Sequence, residues 1–353
     1  MNALLLAGGR GTRLRPLTDT MPKPMVPIMN VSLLERNILR LKSSGVKEFV
    51  ISTCYRPTYI CNRLGDGSKY GVKIHYVHEN TPLGTAGAVK NAAKHFTDTF
   101  IVLNSDIVSD INVTKLIEYH KSKKAVATIA VTYVDDPTQY GVIEYDENHY
   151  ITSFKEKPKK HEVTSNYINA GLYVFEPDIL DQIPSNQNVS IEKETFPLLL
   201  EKKFKMAVYH NQSYWIDIGT PEKYLKVHRD ILDGKCKSFE QYDAKHWNKI
   251  GHLILRGENT NIHHNAQIIG PVFVGDHVVI ESGAMIGPYA VIGDNSYISS
   301  GCRVLGSVLL DHVHLSKNVK VINTIVGQKC KIGDQKELSN TIYTSELDYS
   351  VAV

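Results

Sequence analysis

Between Leu4 and Pro24 the chain reads LLLAGGRGTRLRPLTDTMPKP, an apolar run that meets Gly8, Gly9 and Gly11 and then Arg10, Arg13, Arg15 and Lys23. Glycine has no Cβ, so a ligand can approach the main chain, and successive backbone N–H groups in such a loop bind anions. Cations crowded into so short a stretch repel one another unless a polyanion neutralises them. Phosphate binding is the chemistry this pattern suits; a structural turn with a solvated basic face is the alternative. The loop lacks the G-K-[ST] ending of a Walker A loop, and the third glycine of a dinucleotide fingerprint would fall at Leu14. Two aspartates end apolar runs, Asp106 in IVLNSD and Asp217 in YWIDIGTPEKY. A carboxylate there suits Mg²⁺, which takes carboxylate and phosphate oxygens, although strands also end in aspartate as a turn residue. Two such carboxylates could share one metal.

These residues need a sheet to position them. Up to about Leu232, strand-like and helix-like stretches alternate: Ala3–Ala7, KEFVIST, VKIHYV and TFIVLNSD read as strands and GTAGAVKNAAKHF as a helix. Leu34, Ile38 and Leu41 lie on one helical face, and Gly45 follows as a stop. Alternation of this kind predicts an α/β, Rossmann-like, mainly parallel sheet with helices on both faces. Ligands of such sheets sit beyond the carboxyl ends of strands, where Gly8–Arg13 and Asn104–Asp106 fall.

After about Gly257 the pattern changes. Every sixth residue from Ile262 to Leu310 is a branched aliphatic, and the residues two places earlier, Thr260 to Val308, are small or β-branched. A six-residue period marks a left-handed parallel β-helix of hexapeptide repeats. The expectation is about three to four coils, with the aliphatics inward and Gly275, Gly287 and Gly293 taking the turns. The domains expected are 1–232, a polar linker with one short helix at 233–258, and the β-helix at 259–353. A prism that cannot bury its ends predicts a homo-oligomer.

The bulk numbers bound the class. A chain of 353 residues suits two domains. Its formal net charge of +3 argues against nucleic acid or an anionic membrane surface as partner. No apolar run is long enough to span a bilayer. Ala3–Ala7 is too short for a signal peptide, and the scattered cysteines read as free thiols, so the cytoplasm is the expected location. No Ser-His-Asp or Cys-His set stands out. His263 with His264, and His312 with His314, have no carboxylate or cysteine nearby to complete a metal set and read as solvent-facing turns. Tyr214-Trp215 suits core packing and a ligand wall equally.

Taken in order, LLLAGGRGTRLRPLTDTMPKP, ENTPLGTAGAV, VLNSD, YGV, FKEKP, INAGLYVF and WIDIGTPEKYL resemble the sugar-nucleotide pyrophosphorylases, nucleotidyltransferases that activate sugar 1-phosphates. The resemblance covers the whole chain. PLGTAGAVKNA, INAGLYVFEPDIL, SIEKETFPLLL and YWIDIGTPEKYL are most similar to mannose-1-phosphate guanylyltransferases, with heptose-1-phosphate guanylyltransferases as near neighbours. The resemblance implies that Leu6, Ala7, Gly8, Gly9, Gly11 and Thr12 bind the nucleotide, with Glu79, Gly84 and Thr85 flanking its base. It implies that Arg13 and Lys23 bind the triphosphate and support the transition state. Asp106 and Asp217 would hold Mg²⁺. Gly141, Glu156, Lys157 and Asn169 would bind the sugar phosphate, Lys157 facing the phosphate and Glu156 accepting from sugar hydroxyls.

The implied reaction is attack by a sugar-phosphate oxygen on the α-phosphorus of a nucleoside triphosphate, GTP by likeness, with pyrophosphate leaving. A phosphate monoester has its second pKa near ~6, so the nucleophile is ionised near neutral pH and needs no general base. The barrier is the approach of two polyanions, which cations and a metal lower by neutralisation and positioning. Thymidylyl-, uridylyl- and adenylyltransferases acting on glucose 1-phosphate share this scaffold, and a non-catalytic subunit that binds nucleotide sugars is the reading from another class. A second, acyl-transfer activity in the β-helix would need a catalytic histidine and an acyl-CoA groove, and no residue set compels one.

Overall fold

The computed structural model describes residues 1–239, 248–250 and 254–345. Of the linker expected at 233–258, residues 240–247 and 251–253 lie outside them. Packing divides the chain into two units, Met1–Gly9 with Asn37–Trp215, and Arg10–Arg36 with Ile216–Val353. The expected limit at 232 follows the change in sequence pattern, whereas contacts divide the chain at 215–216 and split the glycine-rich stretch between Gly9 and Arg10.

The first unit is built on a nine-stranded sheet. Its strands are β1 (Asn2–Leu6), β2 (Glu48–Thr53), β3 (Lys73–His78), β4 (Phe100–Asn104), β5 (Ala127–Tyr133), β6 (Gly141–Tyr145), β7 (Ile151–Glu156), β8 (Tyr167–Phe175) and β9 (Met206–Asn211). The order is β7-β6-β8-β4-β1-β2-β3, with β5 pairing both β8 and β9. The block β4-β1-β2-β3 is parallel, as the strand–helix alternation predicts. β8 runs antiparallel to β4, β5 and β6, and β6 to β7, so that part of the sheet is antiparallel, while β9 pairs β5 in parallel at its edge.

Parallel strands are covered on both faces and therefore read as unbroken apolar runs. Ala3, Leu4 and Leu5 are fully buried, and Leu4 packs with Val50, Val102 and Phe100. At about 1.5–3 kcal/mol per buried large aliphatic side chain, this run anchors the backbone that leads into Gly8. The helix Leu33–Ser43 stops at Gly45, whose φ is 91°, and the Val46 amide closes the end on Leu41 O at 3.2 Å. The helix expected across GTAGAVKNAAKHF spans Gly84–Asn91, and a separate 3₁₀ turn follows at Ala93–His95.

The second unit carries the β-helix as three parallel sheets. Five complete coils run from Ile254 to Ser339, followed by one more strand, Ile342–Tyr343. That corrects the three to four coils expected. The cause is a change of period. Coils repeat every 18 residues as far as Met285↔Arg303, then every 17, beginning with Val291↔Val308. One residue is lost at the corner between Leu305 and Val308. As a result Leu309, not the expected Leu310, enters the apolar core of the prism, and Ser307, not Val308, takes the small corner position.

The glycine expectation also needs correction. Of Gly275, Gly287 and Gly293, only Gly287 has positive φ. A Cβ on Gly275 would lie 2.2 Å from Asp294 Oδ1, and one on Gly293 would lie 2.5 Å from the Leu310 carbonyl carbon, so these two serve close stacking of coils. The left-handed corner positions fall to residues such as Asn259, His277, Asn295, His312 and Lys329. At one corner Asp276, Asp294 and Asp311 form a ladder, each accepting the amide of the coil before it at 2.7, 2.8 and 3.2 Å. Asn30 joins this ladder through its Nδ2 and Asp294 Oδ1 (2.7 Å), and Arg229 donates to Asn323 Oδ1 (2.8 Å), so residues 10–36 and the helix Pro221–Leu232 are held to the coils. Among the described residues no helix is long and apolar enough to cross a membrane.

Candidate active site

In the first unit the expected nucleotide residues lie at the carboxyl ends of β1 and β3 and at the start of the helix Gly84–Asn91. Leu6 ends β1, and the Ala7 amide continues the ladder to Ser52 O at 2.9 Å. A Cβ on Gly8 would lie 3.3 Å from Glu79 Oε1, whereas nothing stands within 4 Å of one on Gly9, so the loop opens there. Glu79 is buried and spends its carboxylate inside the protein. Oε1 accepts from Ser52 Oγ at 2.8 Å and Oε2 from the Leu83 amide at 2.9 Å, which fixes the loop ahead of the helix Gly84–Asn91. Gly84 packs on residue 189: a Cβ there would lie 2.5 Å from Val189 O. Thr85 Oγ1 donates to Glu192 Oε2 and accepts from the Ile191 amide, both at 2.8 Å. Glu79 and Thr85 thus shape the wall through their own hydrogen bonds.

The expected sugar-phosphate residues lie on the antiparallel half. Asn169 sits at a bulge of β8. Its Oδ1 accepts the Gly171 amide at 2.9 Å and its Nδ2 donates to Tyr173 Oη at 2.7 Å. Gly171 has φ 69°, and a Cβ there would fall 2.3 Å from Ile107 Cδ1, so the bulge that aims Asn169 requires glycine. Burial, with the Glu192 charge adding to it, holds the Tyr173 phenol well above its ordinary range, so it stays a neutral anchor. Gly141 opens β6, where a Cβ would meet Phe154 and, at 2.9 Å, Glu156 Oε2. Glu156 closes β7, and burial first, the Glu192 charge second, raise its carboxyl above the usual range. Lys157 follows with φ 48°, a left-handed conformation that costs a lysine about 1–2 kcal/mol. Its amide is tied to Tyr140 O at 2.9 Å, and its ammonium is exposed, 3.7 Å from Glu156. Trp215 Nε1 donates to Ala170 O at 3.0 Å and its ring meets Tyr140 edge-on at 5.5 Å, placing it against both the NAG and YGV segments.

In the second unit Gly11, at φ 64°, caps a 3₁₀ turn Thr12–Leu14 that presents Arg13. A Cβ on Gly11 would lie 2.8 Å from Lys23 Cβ, so buried Lys23 packs under the loop, which Thr18 Oγ1 ties down by donating to Gly11 O at 2.9 Å. Asp217 ends the strand Trp215–Asp217, and Thr220 caps the helix Pro221–Leu232 that follows. Asp217 Oδ1 pairs with the Lys223 ammonium. Arg13 and Asp217 close on one point: a Cβ on Gly219 would lie 2.7 Å from Asp217 Oδ2 and 2.9 Å from Arg13 Nη2.

Each unit has a carboxylate of the kind a hard divalent cation takes, Asp106 in the first and Asp217 in the second. Beside Asp106, Asn104 Oδ1 and Ser105 Oγ are buried without a hydrogen-bond partner among the described residues, a state that calls for water, ion or ligand. No group of three or more His, Cys, Asp or Glu side chains gathers among the described residues, so phosphate and water oxygens would have to complete the shell.

Glu192, Tyr173, Ser52 and Lys223 were not singled out from the sequence. Glu192 lies in SIEKETFPLLL, which was noticed only as a likeness. The structure puts it on a π-turn, Ile191–Thr195, a form enriched at functional sites.

Residues 2–234 match the family model described as nucleotidyl transferase, and residues 268–351 match the GMPPB C-terminal domain. The chain is 34% identical over 317 residues to a mannose-1-phosphate guanylyltransferase of Mycobacterium tuberculosis, covering 89% of this chain and 81% of the relative. It is 32% identical over 347 residues to a UTP–glucose-1-phosphate uridylyltransferase of Synechocystis, covering 94% and 88%. Among solved structures it is similar to HddC from Yersinia pseudotuberculosis complexed with GMP-PN, with a TM-score of 0.56 and 31% identity over 67% of this chain and 99% of that one.

Proposed function

The chain belongs to the nucleotidyl transferase family, and from that premise we propose that it joins GTP to mannose 1-phosphate, giving GDP-mannose and pyrophosphate. The observation that carries this reading is the sugar-side constellation of Gly141, Glu156, Lys157 and Asn169, together with the likeness to a mannose-1-phosphate guanylyltransferase along most of the chain. Lys157 offers an exposed ammonium to a phosphate, and Glu156 and Asn169 offer acceptors and a donor to ring hydroxyls. Arg13 and Lys23 would neutralise the triphosphate, Arg13 from the tip of its 3₁₀ turn and Lys23 by stiffening the loop from below. Asp106 and Asp217 would hold the divalent cation, Mg²⁺ in this reading, which when bound draws charge off the phosphates. No side chain has to remove a proton, because the attacking phosphate is already ionised near neutral pH. Catalysis is then neutralisation and alignment of two anions.

The uridylyltransferase likeness favours UTP with glucose 1-phosphate as the second reading, because its identity is almost as high. Pyrophosphate release with Mg²⁺, crossing GTP, dTTP, UTP, ATP and CTP against mannose, glucose and heptose 1-phosphates, separates them. A preference for GTP with mannose 1-phosphate supports the first reading. A UTP and glucose 1-phosphate preference replaces it, and no release with any pair overturns both.

A further inference from the structure

Glu192 has a physical position that the site as described leaves unused. It is half-buried on the π-turn Ile191–Thr195, which packs against the helix Gly84–Asn91 and against β7, the strand that ends in Glu156. Its Oε2 accepts from both Thr85 Oγ1 (2.8 Å) and Ser190 Oγ (2.9 Å). Two hydroxyls directed to one oxygen fix the carboxylate plane. No hydrogen bond among the described residues reaches Oε1. The Glu192 turn packs against the strand that ends in Glu156, and the Glu192 charge adds to burial in raising the Glu156 carboxyl and the phenol of Tyr173, the anchor of Asn169. Lys157 and Lys193 offset part of the charge at Glu156. A partly desolvated pair of carboxylates, one with an open oxygen, suits a neutral donor of several O–H groups. A phosphate would be repelled, and an apolar group would leave the oxygens unpaired.

We propose that Glu192 is a specificity-determining residue of the sugar subsite, accepting a ring hydroxyl of the sugar 1-phosphate on Oε1 while Glu156 accepts another. The inference rests on the sugar 1-phosphate reading of the Glu156 side. Thr85 and Ser190 act as positioning residues that hold the carboxylate in one rotamer. Because Thr85 follows the loop anchored by Glu79, the wall expected beside the base and the wall proposed for the sugar are hydrogen-bonded parts of one structure.

The test uses the full chain and the nucleotide and sugar 1-phosphate pair that the wild type turns over best. KM and kcat are measured for that sugar 1-phosphate and for its monodeoxy analogues, with wild type, Glu192→Gln and Thr85→Val. The wild type should reject one deoxy analogue strongly. Glu192→Gln should raise KM for the parent sugar about 10- to 100-fold, the usual worth of a hydrogen bond to a charged acceptor. It should also erase discrimination at one hydroxyl and leave KM for the nucleotide within about threefold. Thr85→Val, which keeps the carboxylate but loosens it, should weaken discrimination at the same hydroxyl. A Glu192→Gln profile parallel to wild type at every deoxy position overturns the proposal, as does a rise confined to KM for the nucleotide. Should Glu192→Gln fold poorly, Thr85→Val decides alone: an unchanged deoxy profile overturns the proposal. Wild type inactive with every pair overturns the functional reading itself, a result seen in the wild-type arm before any variant is compared.

Discussion

Gly219→Ala separates the chemistry of the phosphate side from its stability. Gly219 is buried and its φ is not positive, so alanine meets no backbone penalty. The added methyl would stand 2.7 Å from Asp217 Oδ2 and 2.9 Å from Arg13 Nη2, where ordinary contact begins at 3.4 Å. Each charged tip must therefore retreat by roughly half an ångström or more. Both are ends of flexible side chains, so the fold accommodates the change cheaply. The loss is at most a partly exposed ion pair, about 0–1 kcal/mol, or a few degrees in Tm. The same retreat moves the proposed triphosphate cation and a proposed metal ligand together. Misplacement of about 1 Å at a reacting centre costs on the order of 100-fold, so kcat should fall about 10- to 100-fold. Pyrophosphate release at saturating substrates and metal, read beside a thermal melt, gives both numbers. A kcat within about twofold of wild type would refute the reasoning, because it would mean that neither tip needs its present place.

Three further outcomes follow from named groups. Glu156→Gln should abolish use of the sugar 1-phosphate yet raise Tm near neutral pH, because burial and Glu192 lift the folded carboxyl's pKa and make its ionised form a burden on the fold. That gain is fully present above the folded pKa and should vanish in acid, where the wild-type carboxyl is neutral too; melts across pH check the sign. His228 is buried against Met29 and Arg36, and its pKa is pushed down to about 3, so it stays neutral in the fold while the unfolded chain protonates near ~6.5. Stability should then fall by about 1.4 kcal/mol per pH unit below that point from this residue alone, and His228→Leu should flatten the slope in pH-dependent melts. Lys223→Met removes the ammonium that holds Asp217 Oδ1. If that oxygen is a metal ligand, the divalent cation needed for half-maximal activity should drop roughly two- to fivefold, and an unchanged requirement counts against Asp217 as ligand.

The parts of the site written as contiguous motifs were legible in the sequence, and those made through space were not. Gly8 to Arg13, Asp106 and Asp217 stand at strand ends or turns, where a change from apolar to small or charged residues shows in one dimension, whereas Asn169, at a bulge of β8, was expected from the likeness alone. Nothing in one dimension joins Thr85 to Glu192, 107 residues later, or Ser52 to Glu79. Tyr173 was within reach: strand alternation puts Asn169, Gly171 and Tyr173 on one side of β8, and a tyrosine there is the natural partner for a half-buried amide. Glu79 and Thr85, expected to flank the base, also hold the wall through hydrogen bonds of their own. A buried carboxylate whose two oxygens accept from a hydroxyl and an amide frames the loop.

The β-helix shows where a strict period misleads. The count by sixes ran only to Leu310 because a residue is lost between Leu305 and Val308, and again at each later passage of that corner. The loss has its own signature: Gly306-Ser307-Val308, Asn323-Thr324-Ile325 and Asn340-Thr341-Ile342 recur at the 17-residue spacing of the later coils. The first residue of each takes positive φ, 58°, 47° and 51°, which glycine and asparagine tolerate. In the first two copies the hydroxyl residue is fully buried and returns its proton to the carbonyl two residues back, Ser307 to Leu305 O and Thr324 to Ile322 O, both at 2.8 Å. Ser307 Oγ also accepts the Thr324 amide of the next coil at 3.0 Å. Ser296 does the same at a corner of ordinary length, its Oγ accepting the Val313 amide at 3.2 Å, so a small hydroxyl is a general way to satisfy the backbone of these corners. A frame that drops one residue wherever glycine or asparagine precedes serine or threonine and a β-branched residue therefore finds the coils that the strict period loses.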